Sequence, residues 1–311
     1  MAVNKNGIVV MGAVFVDIKG FPDDVYIPDG RNAGKVEYIH GGVSRNVVED
    51  IANMELRPTF LSIVDESALG DAVVRKLNNH KVNTEYIQSA PNGMGTWLAV
   101  FDNNGDLAGS ISQRPDLMPL LGVLAKKGDE IFANADSIII EVDVDKEIVK
   151  KVVELCEKHQ KKLYGVVSNM SIAVERRDFL QKFDCFICNQ LEAGMFFADD
   201  FSETAPKELA EILAKKLQLA KIPSMVVTMG GAGSVYADMK GKKGFCPAKK
   251  VQVKDTTGAG DAFCAGVSSG LTYGKTLAES VEIGTRLAAS VITSSENVCP
   301  RFLPGELGIE A

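Results

Sequence analysis

The chain has 311 residues, 46% of them hydrophobic and 24% charged, which excludes collagen-like, disordered and low-complexity classes and suits a soluble globular protein. At this length the expectation is about two domains, or one large α/β domain with an insertion. Lys and Arg number 34 against 41 Asp and Glu, a net charge of −7 with no basic cluster, so general nucleic-acid and anionic-membrane binding are excluded; an anionic ligand must find its positive field locally, at helix N-termini, oriented amides or a metal.

The first twenty residues lack the apolar core and small-residue cleavage site of a signal peptide, and residues 7–17 (GIVVMGAVFVD) read as one buried strand. From Gly41 onward, Val43, Val47, Val48, Ile51, Ala52 and Leu56 fall at helical spacing. Residues 59–65 are a strand and 69–80 a helix. Residues 137–142 (SIIIEV) are a strand, followed by an amphipathic helix over 148–162. Further pairs follow: strand 163–169 with helix 172–182, strand 185–189 with a helix from Leu191, strand 225–230, and strand 251–253 before a glycine-rich stretch. Strand-then-helix repetition predicts a mainly parallel sheet with helices on both faces. Two segments break the rhythm. Residues 18–40 are rich in Pro, Gly and Asp yet contain VEYIH, and residues 94–112 alternate apolar and polar around Asn104-Gly105, a hairpin signal. They predict a small antiparallel sheet serving as a lid over the α/β body, within one domain spanning residues 1–311. No apolar run reaches the roughly 18 residues of a membrane span. Six scattered cysteines predict reduced thiols and a cytoplasmic location.

The most informative stretch is Asp255-Thr-Thr-Gly-Ala-Gly-Asp261, which opens a helix with apolar Phe263, Val267 and Leu271. Gly258 and Gly260 permit a tight turn, and the amides of Ala259, Gly260 and Asp261 lie at the positive end of the helix dipole. That is a cradle for negative charge developing on a phosphoryl group, and a carboxylate at Asp261 can accept a proton from an attacking hydroxyl. A plain Gly-rich turn with Asp261 as a helix-start residue is the alternative for an isolated GxGD.

DTTGAGDAF closely resembles the C-terminal signature of the PfkB/ribokinase family of carbohydrate and nucleoside kinases. Three further segments resemble that family in the same order: Gly41-Gly42 before a helix carrying Asn46, with Asp17 after the first strand; Asn189-Gln-Leu-Glu192; and Val227-Thr-Met-Gly-Gly-Ala-Gly-Ser-Val-Tyr236. The resemblance covers essentially the whole chain. It implies a three-layer α/β/α ribokinase-like body with a small β lid, and an ATP-dependent kinase acting on a hydroxymethyl group. It implies Asp261 as general base, with Gly258, Ala259 and Gly260 in the anion hole. It implies Asp17, Gly41, Gly42 and Asn46 on the acceptor, and Asn189, Thr228, Gly230, Gly233 and Asp255 on the nucleotide side. Glu192 would organise Mg²⁺, through water.

The pattern Gly41-Gly-Val-Ser-Arg-Asn46 resembles the pseudouridine-kinase branch more than ribokinases, so a nucleoside acceptor, pseudouridine, is expected ahead of fructose, ribose or 2-keto-3-deoxygluconate. Arg45 itself is as readily an ion-pairing residue at a helix start. Thr293–Pro300 is shorter than the ribokinase loop that helps bind a monovalent cation, so the resemblance leaves a K⁺ requirement open. Trp97 on the predicted hairpin is placed to stack on a base or sugar, or to pack lid on body. Cys185-Phe-Ile-Cys188 lies in an apolar strand and lacks the setting of a redox or zinc site. The competing functions are a non-catalytic sugar or nucleotide sensor and a dinucleotide-dependent oxidoreductase, the latter opposed by the absence of an early GxGxxG. An apolar lid face predicts a homodimer through the lids.

Overall fold

Met11 and Phe15, four residues apart, end up in different sheets, and that separation organises the molecule. The computed structural model describes residues 6–310. Its elements run β1 (Gly7–Met11), β2 (Phe15–Pro22), β3 (Gly34–Gly41), α1 (Val43–Asn53), β4 (Thr59–Val64), α2 (Ala68–Asn79), β5 (Ile87–Ser89), β6 (Gly95–Phe101), β7 (Leu107–Gln113), α3 (Leu120–Asn134) and β8 (Ala135–Glu141). They continue α4 (Lys146–His159), β9 (Lys162–Val166), α5 (Met170–Ala173), α6 (Arg177–Leu180), β10 (Cys185–Asn189), α7 (Gln190–Phe197), α8 (Pro206–Ala220), β11 (Ser224–Thr228), β12 (Ser234–Asp238), β13 (Lys243–Cys246), α9 (Ala259–Thr272) and α10 (Leu277–Ile292).

The large sheet has the order β13-β12-β11-β10-β9-β8-β1-β4-β5. It is parallel from β5 to β11, with β12 and β13 antiparallel at one edge. Its central strands are apolar on both faces, and alternation sends their side chains to two cores. Val9 and Met11 of β1 join Leu124 and Ile131 of α3 and Val149 and Val152 of α4. Ile8 and Val10 join Val47 and Ile51 of α1, Val267 of α9 and Leu287 of α10. The body is therefore three layers, α/β/α, as the sequence predicts. On one face α9 and α10 approach glycine to glycine: a Cβ on Gly266 would lie 2.7 Å from the Gly284 Cα.

The small sheet has the order β3-β2-β6-β7. Its outer pairs are antiparallel and its central pair, β2 with β6, is parallel. Register gives its two faces different characters. One row across the strands is Ile39–Asp17–Trp97–Ser112; the next is Tyr38–Ile18–Leu98–Ile111.

Three expectations change. Residues 7–17 are not one strand. A Cβ on Gly12 would meet the Ser44 Oγ at 2.1 Å and the Glu141 Cδ at 2.8 Å, so the chain slips between α1 and β8 here and turns out of the body. Residues 172–182 form α5, a 3₁₀ turn and α6, because the buried anchors Met170 and Ala173 are followed only by Leu180 and give no continuous helical stripe. Residues 251–253 follow Pro247 beyond the last strand and lie exposed, without a ladder partner among the described residues. Helices α3, α8 and α10 occupy segments to which the sequence reading assigns no element.

Candidate active site

The carboxyl ends of the parallel strands carry the candidate residues, where ligands bind in open α/β sheets. The chain leaves β1 for β4 on one side and later adds β8 on the other, so the crevice between β1 and β8 is a topological switch point. There Glu141, ending β8, accepts hydrogen bonds from the amides of Ala13 at 3.1 Å and Ser44 at 2.9 Å. Burial, and then the Asp143 carboxylate, push the Glu141 carboxyl upward. Beside it opens a cleft of about 400 Å³ that brings together Asp17, Gly41, Gly42, Asn46 and Asp261. Phe15, Trp97 and Ser112 reach it from one face of the small sheet, and Arg114 follows β7 into it.

Glycines make these approaches possible. A Cβ on Gly41 would sit 2.7 Å from the Asp17 carboxylate, and one on Gly95 would sit 2.4 Å from the Phe15 ring. Gly42 adopts φ +100° directly before α1. From the first turn of α1, the Asn46 Nδ2 donates to the Asp261 Oδ2 at 2.6 Å, closing α1 onto α9.

The loop before α9 is built to start a helix in a confined place. Gly258 is left-handed at φ +81°, and a Cβ there would be 1.9 Å from the Asn297 carbonyl oxygen. The Asp255 carboxylate accepts from the Thr257 amide at 2.8 Å, which holds its pKa below the usual value. The Ala259 amide donates to the Thr256 carbonyl at 3.2 Å, so in this structure it is spent on the turn rather than offered to an anion. Gly260 and Asp261 stand in the first helical turn, where the helix itself supplies no acceptor for the amides. Beyond Gly260 the space is open, with no atom within 4 Å of where a Cβ would be. Burial pushes the Asp261 carboxyl up to about 7, against the Asn46 hydrogen bond and the Arg45 guanidinium, while the Asp17 and Glu192 carboxylates add to the rise. Burial raises Asp17 as well, opposed by Lys19 and Arg45.

On the other side Asn189 and Glu192 form a capping box on α7: the Glu192 amide donates to the Asn189 Oδ1 at 2.8 Å, and the Asn189 amide to the Glu192 Oε2 at 2.7 Å. Thr228 pairs in register with Asn189 at the strand ends. Gly230 begins a 3₁₀ turn at φ +54°, and Gly233, at φ +108°, packs where a Cβ would be 2.2 Å from the Cys246 carbonyl oxygen. None of these five residues, nor Asp255, lines the 400 Å³ cleft. They flank it along the strand ends, with Glu192 within electrostatic reach of Asp261.

Sequence reasoning misses Phe15, Ser112, Arg114 and Glu141. Glu141 carries a readable signal, an acidic residue closing an apolar strand; the others depend on strand register. Arg114 donates from Nη2 to the Asp143 carbonyl oxygen at 2.9 Å. Cys185 and Cys188 are buried in β10, and burial pushes the Cys185 thiol up to about 12, which suits neither redox nor metal chemistry.

A buried carboxylate and a glycine-opened helix start beside a polar cleft, at the ends of a doubly wound α/β sheet, suit a phosphotransferase with an alcohol acceptor. The chain belongs to the pfkB family of carbohydrate kinases, whose family model matches residues 5–299. It is 35% identical over 294 residues to the guanosine-inosine kinase of Exiguobacterium acetylicum, covering 94% of this chain and 96% of that protein. It is 24% identical over 278 residues to the pseudouridine kinase of Escherichia coli strain K12, covering 89% and 87%. Its fold is similar to that of Arabidopsis thaliana ribokinase complexed with ribose and ATP, with a TM-score of 0.84, 19% identity and coverage of 97% and 98%. No helix among the described residues is long and apolar enough to cross a membrane.

Proposed function

We propose that this kinase transfers the γ-phosphoryl group of ATP to the 5′-hydroxyl of a purine nucleoside of the guanosine or inosine class. The observation that carries the reading is the cleft where Asp17, Asn46 and Asp261 meet Phe15 and Trp97, hydroxyl-binding groups beside aromatic faces that can hold a base. The guanosine-inosine kinase, at 35% identity, favours a purine over pseudouridine, whose kinase is 24% identical. Pseudouridine is the second reading, supported by the Gly41–Asn46 pattern.

Asp17, Gly41, Gly42 and Asn46 hold the ribose hydroxyls. Asp261 accepts the proton of the 5′-hydroxyl as its oxygen attacks the γ-phosphorus, and the bond to the ADP leaving oxygen breaks. The Gly258–Asp261 loop receives the transferring phosphoryl at the helix N-terminus through the amides of Gly260 and Asp261, with Ala259 bracing the turn. Asn189, Thr228, Gly230, Gly233 and Asp255 take the nucleotide side. Among the described residues no three His, Cys, Asp or Glu side chains cluster as a metal cage. Glu192 would hold Mg²⁺ on the nucleotide side, where the ion would neutralise phosphate charge. The small sheet is read as a lid, and its apolar outer row as a homodimer surface. Free cysteines, mostly buried, support a cytoplasmic placement.

A kinase assay across guanosine, inosine, adenosine, pseudouridine, uridine, ribose, fructose and 2-keto-3-deoxygluconate tests the acceptor. Guanosine or inosine is expected to give the highest kcat/KM. A higher value for a free sugar would overturn the nucleoside reading, and a higher value for pseudouridine would replace the purine. No turnover of any acceptor would favour a non-catalytic sensor.

A further inference from the structure

We propose that Arg45 is a positioning residue that fixes the side-chain amide of Asn46, so that its NH₂ and not its carbonyl meets the Asp261 carboxylate. The inference rests on the reading of Asp261 as the base.

Arg45 is buried, with 1% of its side chain exposed, and lies on the first turn of α1 between the acceptor cleft and α2. Its guanidinium donates from Nη2 to the Asn46 Oδ1 and to the His40 carbonyl oxygen, from Nε to the Gly41 carbonyl oxygen at 3.4 Å, and from Nη1 to Glu49. Glu49 is itself clamped. Lys76 of α2 lies 2.9 Å from its Oε1, and His80, whose Nδ1 contacts the Asn53 Oδ1 at 2.8 Å, lies 3.7 Å from the same oxygen. The His40 carbonyl is held from a second side by the Asn297 Nδ2 at 3.0 Å. The guanidinium therefore has no freedom to swing away.

An amide side chain is nearly symmetric in shape but not in chemistry. Arginine only donates, so it selects the Asn46 carbonyl oxygen and leaves the NH₂ for Asp261. Turning Asn46 over would aim an NH₂ at a guanidinium and a carbonyl at a carboxylate, two repulsive contacts in place of two hydrogen bonds. The retained orientation keeps a donor on the anionic form of Asp261 and opposes its desolvation. The charged groups facing Asp261 are Asp17 from β2, Asp50 and Arg45 from α1, and Glu192 from α7. Asp17 and Glu192 disfavour its ionisation, Asp50 is itself pushed well up by burial and by Asp261, and Arg45 is the cation against the two carboxylates. Lysine cannot substitute, because one ammonium lacks the planar fork that serves Glu49, two carbonyls and Asn46 together.

The test is the pH dependence of kcat for the full chain with its best nucleoside. Arg45→Lys, and the double variant Arg45→Met/Glu49→Leu, which removes both buried charges so that neither is stranded, are expected to move the acid limb of kcat up by about one pH unit. That is a loss of about tenfold below the limb, recovered at alkaline pH, with acceptor KM changed less than kcat. Glu49→Gln keeps the Arg45–Asn46 contact and is expected to leave the limb in place. An unmoved limb in folded Arg45 variants, or a kcat loss that alkaline pH does not recover, overturns the proposal. Asp261→Asn, run in parallel, separates the two readings: if it retains activity the base assignment falls, and if it is inactive while the Arg45 limb stays put only the positioning role falls.

Discussion

Asp261, the proposed base, has its ionisation brought close to neutral pH. Burial pushes its carboxyl from the ordinary 3.8 up to about 7, with the Asn46 hydrogen bond pulling the other way. For catalysis the ionised form is needed, so kcat is expected to fall about tenfold per pH unit on the acid side of pH 7. Asp261→Asn is expected to lower kcat by about 10²–10⁴-fold while ATP and acceptor still bind, measurable by single-turnover assay and calorimetry. Stability runs opposite to activity. A carboxyl whose folded value is raised contributes stability that is complete below 3.8 and is lost as pH rises through about 7. Asparagine does not ionise, so Asp261→Asn should melt at a higher temperature than the parent at mildly alkaline pH and near the parent's temperature in acid. Equal melting temperatures across that range would show that the carboxyl is not held out of water as described.

At the level of elements, the start of α9 sets two glycines apart. Gly258 is left-handed at φ +81° and would drive a Cβ into the Asn297 carbonyl at 1.9 Å, so Gly258→Ala is expected to cost at least about 1–3 kcal/mol in strain and to lower the melting temperature. Gly260 has open space around its missing Cβ, so Gly260→Ala should fold and melt like the parent yet lose activity, because the new methyl occupies the phosphoryl path. Thermal melts with paired kinase assays distinguish the two, and normal activity in Gly260→Ala would place the phosphoryl elsewhere. These positions are legible in the sequence because a turn and a helix start are local. So are Gly41, Gly42 and Asn46, which sit beside one another on the chain. Phe15 and Arg114 are not, because the register of β2 on β6 and of β6 on β7 carries them to the cleft. The apolar run over residues 7–17 hides its own break for the same reason: what breaks it is Ser44 and Glu141, the latter far along the chain.

At the scale of the whole molecule, the small sheet has two faces, and one of them is left partly open. The row Ile39–Asp17–Trp97–Ser112 supplies three of its four side chains to the cleft. The next row turns away and leaves Tyr38 61%, Leu98 39% and Ile111 70% exposed, with Val36 beside them on β3. Contiguous apolar side chains on a sheet with two open edges, β3 and β7, make a surface that a lone monomer would leave prone to aggregation. A second copy related by a two-fold axis would cover it with its own identical face. The parent is therefore expected to be a dimer at micromolar concentration by light scattering, and Leu98→Lys/Ile111→Lys to be a folded monomer. Because these side chains point away from the cleft, the acid limb set by Asp261 should be unchanged in that monomer. Asp17 and Trp97 share strands with the disturbed face, so the acceptor KM should rise as the inner row loses its support. A monomeric parent, or a lysine variant that still dimerises, would show that this row is not the interface.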